Sequence, residues 1–373
     1  MLDLLKSLDN AVLWFFRDAP PALSLTVWIA IGLVVGNVLT TCVRRLPRGE
    51  RLRDAPRCDH CQVRLAFRDR VPVLSYLLRR GKCRDCGQPI GVGVLLVEAG
   101  TALLFACLWL AVVQFGSQTF NEGGHRDWIH WRVISQSVLI ALLVVATAID
   151  FELYLIPDQI TVVGTLFGVA LATMIGNLQI LPLWVDWNDV LVNLHGPYIP
   201  EWIKQHWYAH GLAWSLAGVV TGGGITWLVR ALSQWVLGQE ALGFGDVTLM
   251  AMIGSFLGWQ PVVFVFVLAP LCGLVVGLLL RFTTGRVAVP YGPYLSLATL
   301  IVLFGFRWMW IPSRELFGDP KWLAVLAGGS IAGMVVLLGL LRLFRAIPVT
   351  VDRRAASLDD TASTGRHSNS SDA

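Results

Sequence analysis

Charge is what this 373-residue chain has little of: Asp, Glu, Lys and Arg together make up 14% of it, against roughly 25% in a soluble globular domain. That shortfall, with 55% apolar residues and a mean hydropathy of +0.64, argues against a water-soluble globule and for residence in a lipid bilayer. Seven cysteines are too few for a disulfide scaffold. Three of them, Cys42, Cys107 and Cys272, lie in apolar runs where a free thiol acts as a small hydrophobe. Acidic residues are scarcer than basic ones, but the net charge is only +4, and no nucleic-acid partner is expected.

Apolar runs are there instead. A bilayer core about 30 Å thick asks for roughly 20 apolar residues per helix. Runs of that kind occur at 22–43, 94–115, 133–149, 159–178, 210–230, 260–280, 291–306 and 323–341, with a shorter one at 247–258. Gln260-Pro261 is the expected break between the short run and the next. The first run is too long for a signal-peptide core and has no basic leader directly before it, so it reads as a retained span. The fold class expected is an all-α polytopic membrane protein of eight to nine transmembrane helices. Its expected divisions are 1–43 (N-terminal region and first span), 44–93 (tetracysteine domain), 94–345 (polytopic membrane domain) and 346–373 (a polar, Ser-rich, disordered tail).

Basic residues orient the spans. Segment 44–93 holds thirteen Lys and Arg against five Asp and Glu, a local balance of +8, which marks it as cytoplasmic. Counting spans alternately from it puts the C-terminus in the cytoplasm. The segments near 116–132, 179–209 and 307–322 then face outward, and they carry nine of the sixteen tryptophans, as interfacial segments do.

Inside the basic segment stand Cys58-Asp-His-Cys61 and Cys83-Arg-Asp-Cys86. Two CxxC knuckles present four thiolates at tetrahedral corners, the donor set of a structural Zn²⁺ in a zinc-ribbon-like loop. A redox dithiol competes, and a reducing cytosol disfavours a disulfide. His60 is expected to be an exposed residue within its knuckle.

Carboxylates inside or beside spans are costly and so mark function. Asp150 ends VLIALLVVATAID, and Asp246 closes Gly243-Phe244-Gly245-Asp246 before VTLMAMIGSFLGW, both at the cytoplasmic ends of spans. Two carboxyls at one depth can share a proton, the ionised one activating water and the neutral one polarising a scissile carbonyl. Gly243 and Gly245 would let backbone approach a substrate strand. Asp246 as a helix N-cap and Asp150 as a lone interfacial residue are the bland alternatives. Asp158 reads as a cap, and Glu98, early in the second span, needs a partner, for which basic residues of the tetracysteine loop are the expected candidates.

In order, these blocks resemble the prepilin peptidase family, membrane aspartyl proteases of the GxGD type. The similarity runs from Gly36 to about Tyr294 and rests on GNVLTTCVRRLP (36–47), VPVLSYLLRRGKC (71–83), LLVEAGTALLF around Glu98, AIDFELYLIPDQIT (148–161), GFGDVTLMAMIGSFLGW (243–259) and VPYGPYLSLA (289–298). The resemblance implies an aspartyl endopeptidase of the bacterial inner membrane with Asp150 and Asp246 as its dyad. It implies type IV prepilin or pseudopilin substrates cut after glycine to release a short basic leader. It also implies N-methylation of the new N-terminus with S-adenosylmethionine, an activity associated with the cytoplasmic domain, where Gly81, Lys82 and Glu98 match. The chain departs from the family at Thr40 and Thr41, at Phe67, before Glu98, in its long outer loop and in its extra C-terminal span, so methyl transfer is less firmly implied than cleavage. A transporter that uses the two aspartates as proton or cation sites, and a non-enzymatic zinc-ribbon scaffold, are the competing readings.

Overall fold

A computed structural model of the chain describes residues 14, 19–51, 57, 58, 60–64, 72–118, 129–184, 205–238, 242–284 and 290–346. The expected tail, Phe67 and much of the outer loop at 179–209 lie outside the described residues. Among the described residues nine helices of 14 residues or more carry the chain back and forth: α1 (Pro21–Arg45), α2 (Val92–Trp109), α3 (Ile129–Leu153), α4 (Asp158–Ile175), α5 (Trp207–Leu237), α6 (Phe244–Leu257), α7 (Trp259–Thr284), α8 (Gly292–Gly318) and α9 (Pro320–Ala346). Among the described residues eight helices are long and apolar enough to cross a membrane. The ninth, α6, has 14 residues and so is about 21 Å long, short of the roughly 30 Å hydrocarbon core. The all-α polytopic architecture is as the apolar runs imply.

Two boundaries differ from the sequence reading. The break after α6 falls at Gly258, not at Gln260-Pro261: Gly258 takes φ +81°, and a Cβ there would strike the indole of the buried Trp214. Pro261 sits in the first turn of α7, where a missing N–H costs nothing. The expected outer segment 307–322 is helical instead: α8 continues through Pro312 to Gly318, and only Asp319 separates it from α9. Trp310, 1% exposed and packed between Phe306 and Phe317, draws those turns into the core.

In a bilayer, apolar side chains gain nothing by leaving lipid, so helices associate through close backbone approach at small residues. Here that approach is concentrated on α6. Gly218 of α5 and Gly254 of α6 face one another so closely that a Cβ on either would meet the other's carbonyl oxygen, and Gly222 lies likewise against the Met250 carbonyl. Gly164 and Gly168 of α4 accept the side chains of Met252, Ser255 and Phe256. A second pair, α1 and α2, closes over Gly32 and Gly36, where added Cβ atoms would lie 2.6 Å from Ala102 Cα and 2.8 Å from Glu98 Cα.

Non-helical backbone within the bundle must find partners in protein rather than water. The stretch after α4 does so through buried polar side chains. Arg132 of α3 donates to the carbonyls of Gln179 (2.7 Å), Leu178 (3.4 Å) and Gln118 (3.5 Å). His210 of α5 accepts the Leu183 N–H at 3.2 Å, and Gln260 and Trp259 donate to the carbonyls of Pro182 and Leu183. Gln118 and Gln136 exchange amide hydrogen bonds at 3.0 and 2.8 Å, tying the end of α2 to α3.

Overpacking a helix contact costs about 1–3 kcal/mol. Gly218→Leu and Gly254→Leu are therefore expected to lower the apparent melting temperature of the detergent-solubilised protein, whereas Gly224→Leu, on the same helix with open space around it, leaves it unchanged. Equal melting of all three would contradict the packing described.

Candidate active site

The two aspartates arrive from different helices at the same end of the bundle. Asp150 stands in the last turn of α3, 4% exposed, and Asp246 in the first turn of α6, 8% exposed. The turn that carries Asp246 fixes its carboxylate: Oδ2 accepts the N–H of Gly243 at 3.1 Å while the Asp246 N–H bonds to the Gly243 carbonyl. Gly243 is thus the N-cap, and Asp246 is the third helical residue reaching back to it, as in a capping box. The bland reading of Asp246 is corrected in position, since it caps from inside the helix. The role occupies one oxygen and does not exclude another for the carboxylate. Asp158 is corrected too, because Pro157 holds the N-cap of α4 and Asp158 is its first residue, with no side-chain cap bond.

Asp150 is held from the other side by α8. The Gly292 N–H donates to its carboxylate, and a Cβ on Gly292 would lie 2.5 Å from Asp150 Oδ2. Only glycine leaves room for that carboxylate. Ile156, on the connection between α3 and α4, stands under both groups: a Cβ on Gly245 would be 3.1 Å from Ile156 Cβ, and one on Gly292 would be 3.0 Å from Ile156 Cδ1. Asp150 and Tyr291 both lie close enough to Asp246 to be coupled to it electrostatically. Asp150, Asp246, Gly243, Gly245, Ile156, Tyr291 and Gly292 therefore form one cluster. Gly292 and Tyr291 belong to the VPYGPYLSLA block but carry no mark in the sequence that singles them out; a glycine before proline at the start of an apolar run is the only cue. Of the two expected glycines, Gly245 makes room for Ile156, and Gly243 presents its N–H to Asp246.

The four knuckle cysteines meet as their spacing requires. Their sulfurs lie within 4.8 Å of one another, with Cys58 Sγ and Cys86 Sγ 3.9 Å apart, and none forms a disulfide. Tetrahedral zinc with Zn–S bonds of about 2.3 Å puts sulfurs about 3.8 Å apart, so the cluster suits that ion with little adjustment. Both knuckles are built alike. Cys58 bonds through its N–H to Val63 and Cys83 to Gln88, and each loop turns on a residue with positive φ, Gln62 (+57°) and Gly87 (+69°). The N–H groups of Cys86 and Asp85 point at the Cys83 sulfur and bring its thiol down to about 7, favouring the thiolate a metal binds. His60 is exposed and outside the cluster.

Glu98 corrects an expectation. Among the described residues its partners are not basic side chains: Oε1 accepts Asn37 Nδ2 at 2.8 Å and Oε2 accepts the Val73 N–H at 2.7 Å. One buried carboxylate, 3% exposed, thus joins α1, α2 and the tetracysteine loop. Val73 adopts φ +58°, a costly conformation for a β-branched residue, in presenting that N–H. Gly81 (φ +69°) and Lys82 form the turn into the second knuckle, where Tyr76 packs against Gly81 and Lys82 pairs with Pro89. The structure accordingly places Gly81 and Lys82 with the cysteines and Glu98 beneath the loop.

Two family models match the chain: the bacterial peptidase A24 N-terminal domain over residues 30–112 and the type IV leader peptidase family over residues 137–278. The first spans α1, the tetracysteine loop and α2; the second spans α3 to most of α7, with both aspartates. Among similar curated proteins is a prepilin leader peptidase/N-methyltransferase of Pseudomonas putida, 28% identical over 335 residues, which are 82% of this chain and 99% of that one. A protein of the same name from Myxococcus xanthus is 32% identical over 69% of this chain and 63% of its own length. Another from Aeromonas hydrophila is 30% identical over 66% of this chain and 70% of its own length. No solved structure matches the chain. With both models in register with the two assemblies just described, the chain belongs to the type IV leader peptidase family.

Proposed function

We propose that this chain is a membrane-embedded aspartyl endopeptidase that removes the basic leader of type IV prepilins or pseudopilins after glycine, at the cytoplasmic face of the bacterial inner membrane, with Asp150 and Asp246 as its catalytic pair. The observation that carries the proposal is the pairing, at one end of the bundle, of two buried carboxylates from α3 and α6, each held by one glycine N–H, with Ile156 against the glycines beside them. The printed names of the relatives supply the substrate class. The orientation rests on the basic residues of 44–93 and on Arg281 and Arg342 at the same end. By the same token, residues 44–93 form the zinc domain and 94–345 the protease domain.

Like charges in apolar surroundings do not both ionise, so one carboxyl of the pair keeps a proton. The ionised one takes a proton from water as the water attacks the scissile carbonyl, and the protonated one donates to the carbonyl oxygen. The tetrahedral intermediate collapses when the proton is returned to the leaving nitrogen. The N–H groups of Gly243 and Gly292 hold the carboxylates in place. Zinc, where bound, fastens the two knuckles together and takes no part in the hydrolysis. Cys58, Cys61, Cys83 and Cys86 would hold it.

Asp150→Asn and Asp246→Asn are each expected to abolish cleavage of a prepilin by purified protein while membrane insertion persists, since a positioned acid or base contributes about 10² to 10⁴ in rate. Wild-type cleavage by either variant would sink the pair. Gly292→Ala is expected to lose cleavage nearly as fully, through displacement of Asp150, with melting close to wild type. Metal analysis of the purified chain is expected to give about one zinc per chain, and Cys58→Ser to release it; a zinc content unchanged in that variant would remove the site.

The relatives' names also carry N-methylation. We infer that the tetracysteine domain and S-adenosylmethionine would supply it on the freed amine, a reading supported by the match over residues 30–112. Mass spectrometry of pilin matured by the purified chain with S-adenosylmethionine tests it: a product heavier by one methylene is expected, and an unmodified N-terminus refutes it.

A further inference from the structure

A cleft of about 850 Å³ opens between the α1–α2 pair and the α3–α8 wall. Its floor is one continuous stripe of α3: Ile140, Leu143, Val144, Thr147, Ala148 and Phe151. The spacing i, i+3, i+4, i+7, i+8, i+11 makes a straight helical face about 17 Å long. The threonine hydroxyls of the cleft are bonded within the protein, so that the α3 floor offers hydrocarbon: Thr40 to Gly36, Thr101 to Val97 and Thr147 to Ser296. At the mouth, on the tetracysteine side, stand Arg44 and Arg48, with Glu152 at the lip. The side toward the bilayer is open, with Leu96 67% and Phe151 52% exposed.

We propose that this cleft holds one phospholipid of the leaflet on the tetracysteine side, an acyl chain along the α3 stripe and the phosphodiester at Arg44 and Arg48. Two features choose this occupant. The apolar length matches one leaflet, about half of a 30 Å core, whereas a transmembrane helix would need a groove running through both. Two guanidiniums where the apolar stripe ends lie at the depth of a headgroup, and basic pockets between helices at that level take lipid phosphates. The lipid would bridge the two family-model segments of the chain, α1–α2 on one side and α3 on the other, with α8, beyond the second segment, completing the wall. It would also lie beside Asp150, since Ala148, Phe151, Pro293 and Tyr294 belong to its wall.

The test reads binding, so it stands apart from the peptidase reading. Full-length protein purified in detergent is titrated with phosphatidylglycerol and followed by native mass spectrometry and by thermal shift. Diacylglycerol of the same chains and inorganic phosphate are parallel arms. One phosphatidylglycerol is expected to be retained per chain and to raise the melting temperature, with both other arms at least about tenfold weaker, as the loss of charge-assisted bonds or of the apolar tail implies. Arg44→Gln/Arg48→Gln is expected to weaken retention by about tenfold or more. Arg48→Gln alone alters an exposed residue and provides a variant that folds, with an intermediate loss. Val144→Trp, which fills the stripe, is expected to lose the lipid as well. Wild-type retention by the double Gln variant, or diacylglycerol binding as well as phosphatidylglycerol, would overturn the proposal. So would a Val144→Trp protein that keeps its lipid and loses cleavage, which would assign the cleft to a substrate helix.

Discussion

The aspartate site depends on how closely α6 is allowed to approach its neighbours. A helix of 14 residues cannot fix its own depth by spanning the bilayer; contact with longer helices must do so. Gly218 against Gly254, and Gly222 against the Met250 carbonyl, set that depth from α5, and Gly164 and Gly168 set it from α4. Once α6 is seated, its first turn, and with it Asp246, comes to the level at which α3 ends in Asp150. The costliest groups in the membrane are thus positioned by the smallest residues. The same rule joins α1 to α2, where Gly36 rests on the backbone of Glu98.

Among the described residues the buried charges of Asp150, Asp246, Glu98 and Arg132 are met by dipoles rather than by an opposite charge. Asp150 and Asp246 each accept a glycine N–H, Glu98 accepts an amide and a backbone N–H, and Arg132 donates to three carbonyls. Fully compensated ion pairs would silence the aspartates, because a carboxylate beside a guanidinium holds no proton to give. Neutral partners fix position and, on the proposed mechanism, leave the proton to the pair. At Glu98 the same arrangement couples the tetracysteine loop to the bundle, so the geometry of the knuckles and of the α1–α2 pair are parts of one unit.

Residues whose chemistry is unusual for their surroundings were legible in the sequence. Carboxylates at the ends of apolar runs stand out against so few charges, and CxxC pairs announce a metal by spacing alone; both sets come together. The basic segment likewise marks one end of the bundle, and the helix count follows from apolar length. What stayed hidden lies in backbone partners. The Val73 N–H that receives Glu98 is 25 residues away and is offered only because Val73 adopts a left-handed conformation. A valine carries no sign of that. The Gly292 N–H on Asp150 is equally silent, and so is the break at Gly258, which Trp214 imposes from α5 while a nearby proline draws the eye. The turns beyond 306 were missed because Arg307 and polar neighbours interrupt hydropathy, while Trp310 and Phe317 still pack inward.

At the centre of this account is one proton shared between Asp150 and Asp246. The pH dependence of kcat/KM for prepilin cleavage by the detergent-solubilised enzyme tests it most directly. A shared proton predicts a bell, with activity falling on the acid side as the pair gains a second proton and on the alkaline side as it loses the last one. A profile with a single limb would contradict it, because one carboxylate would then be acting without the other.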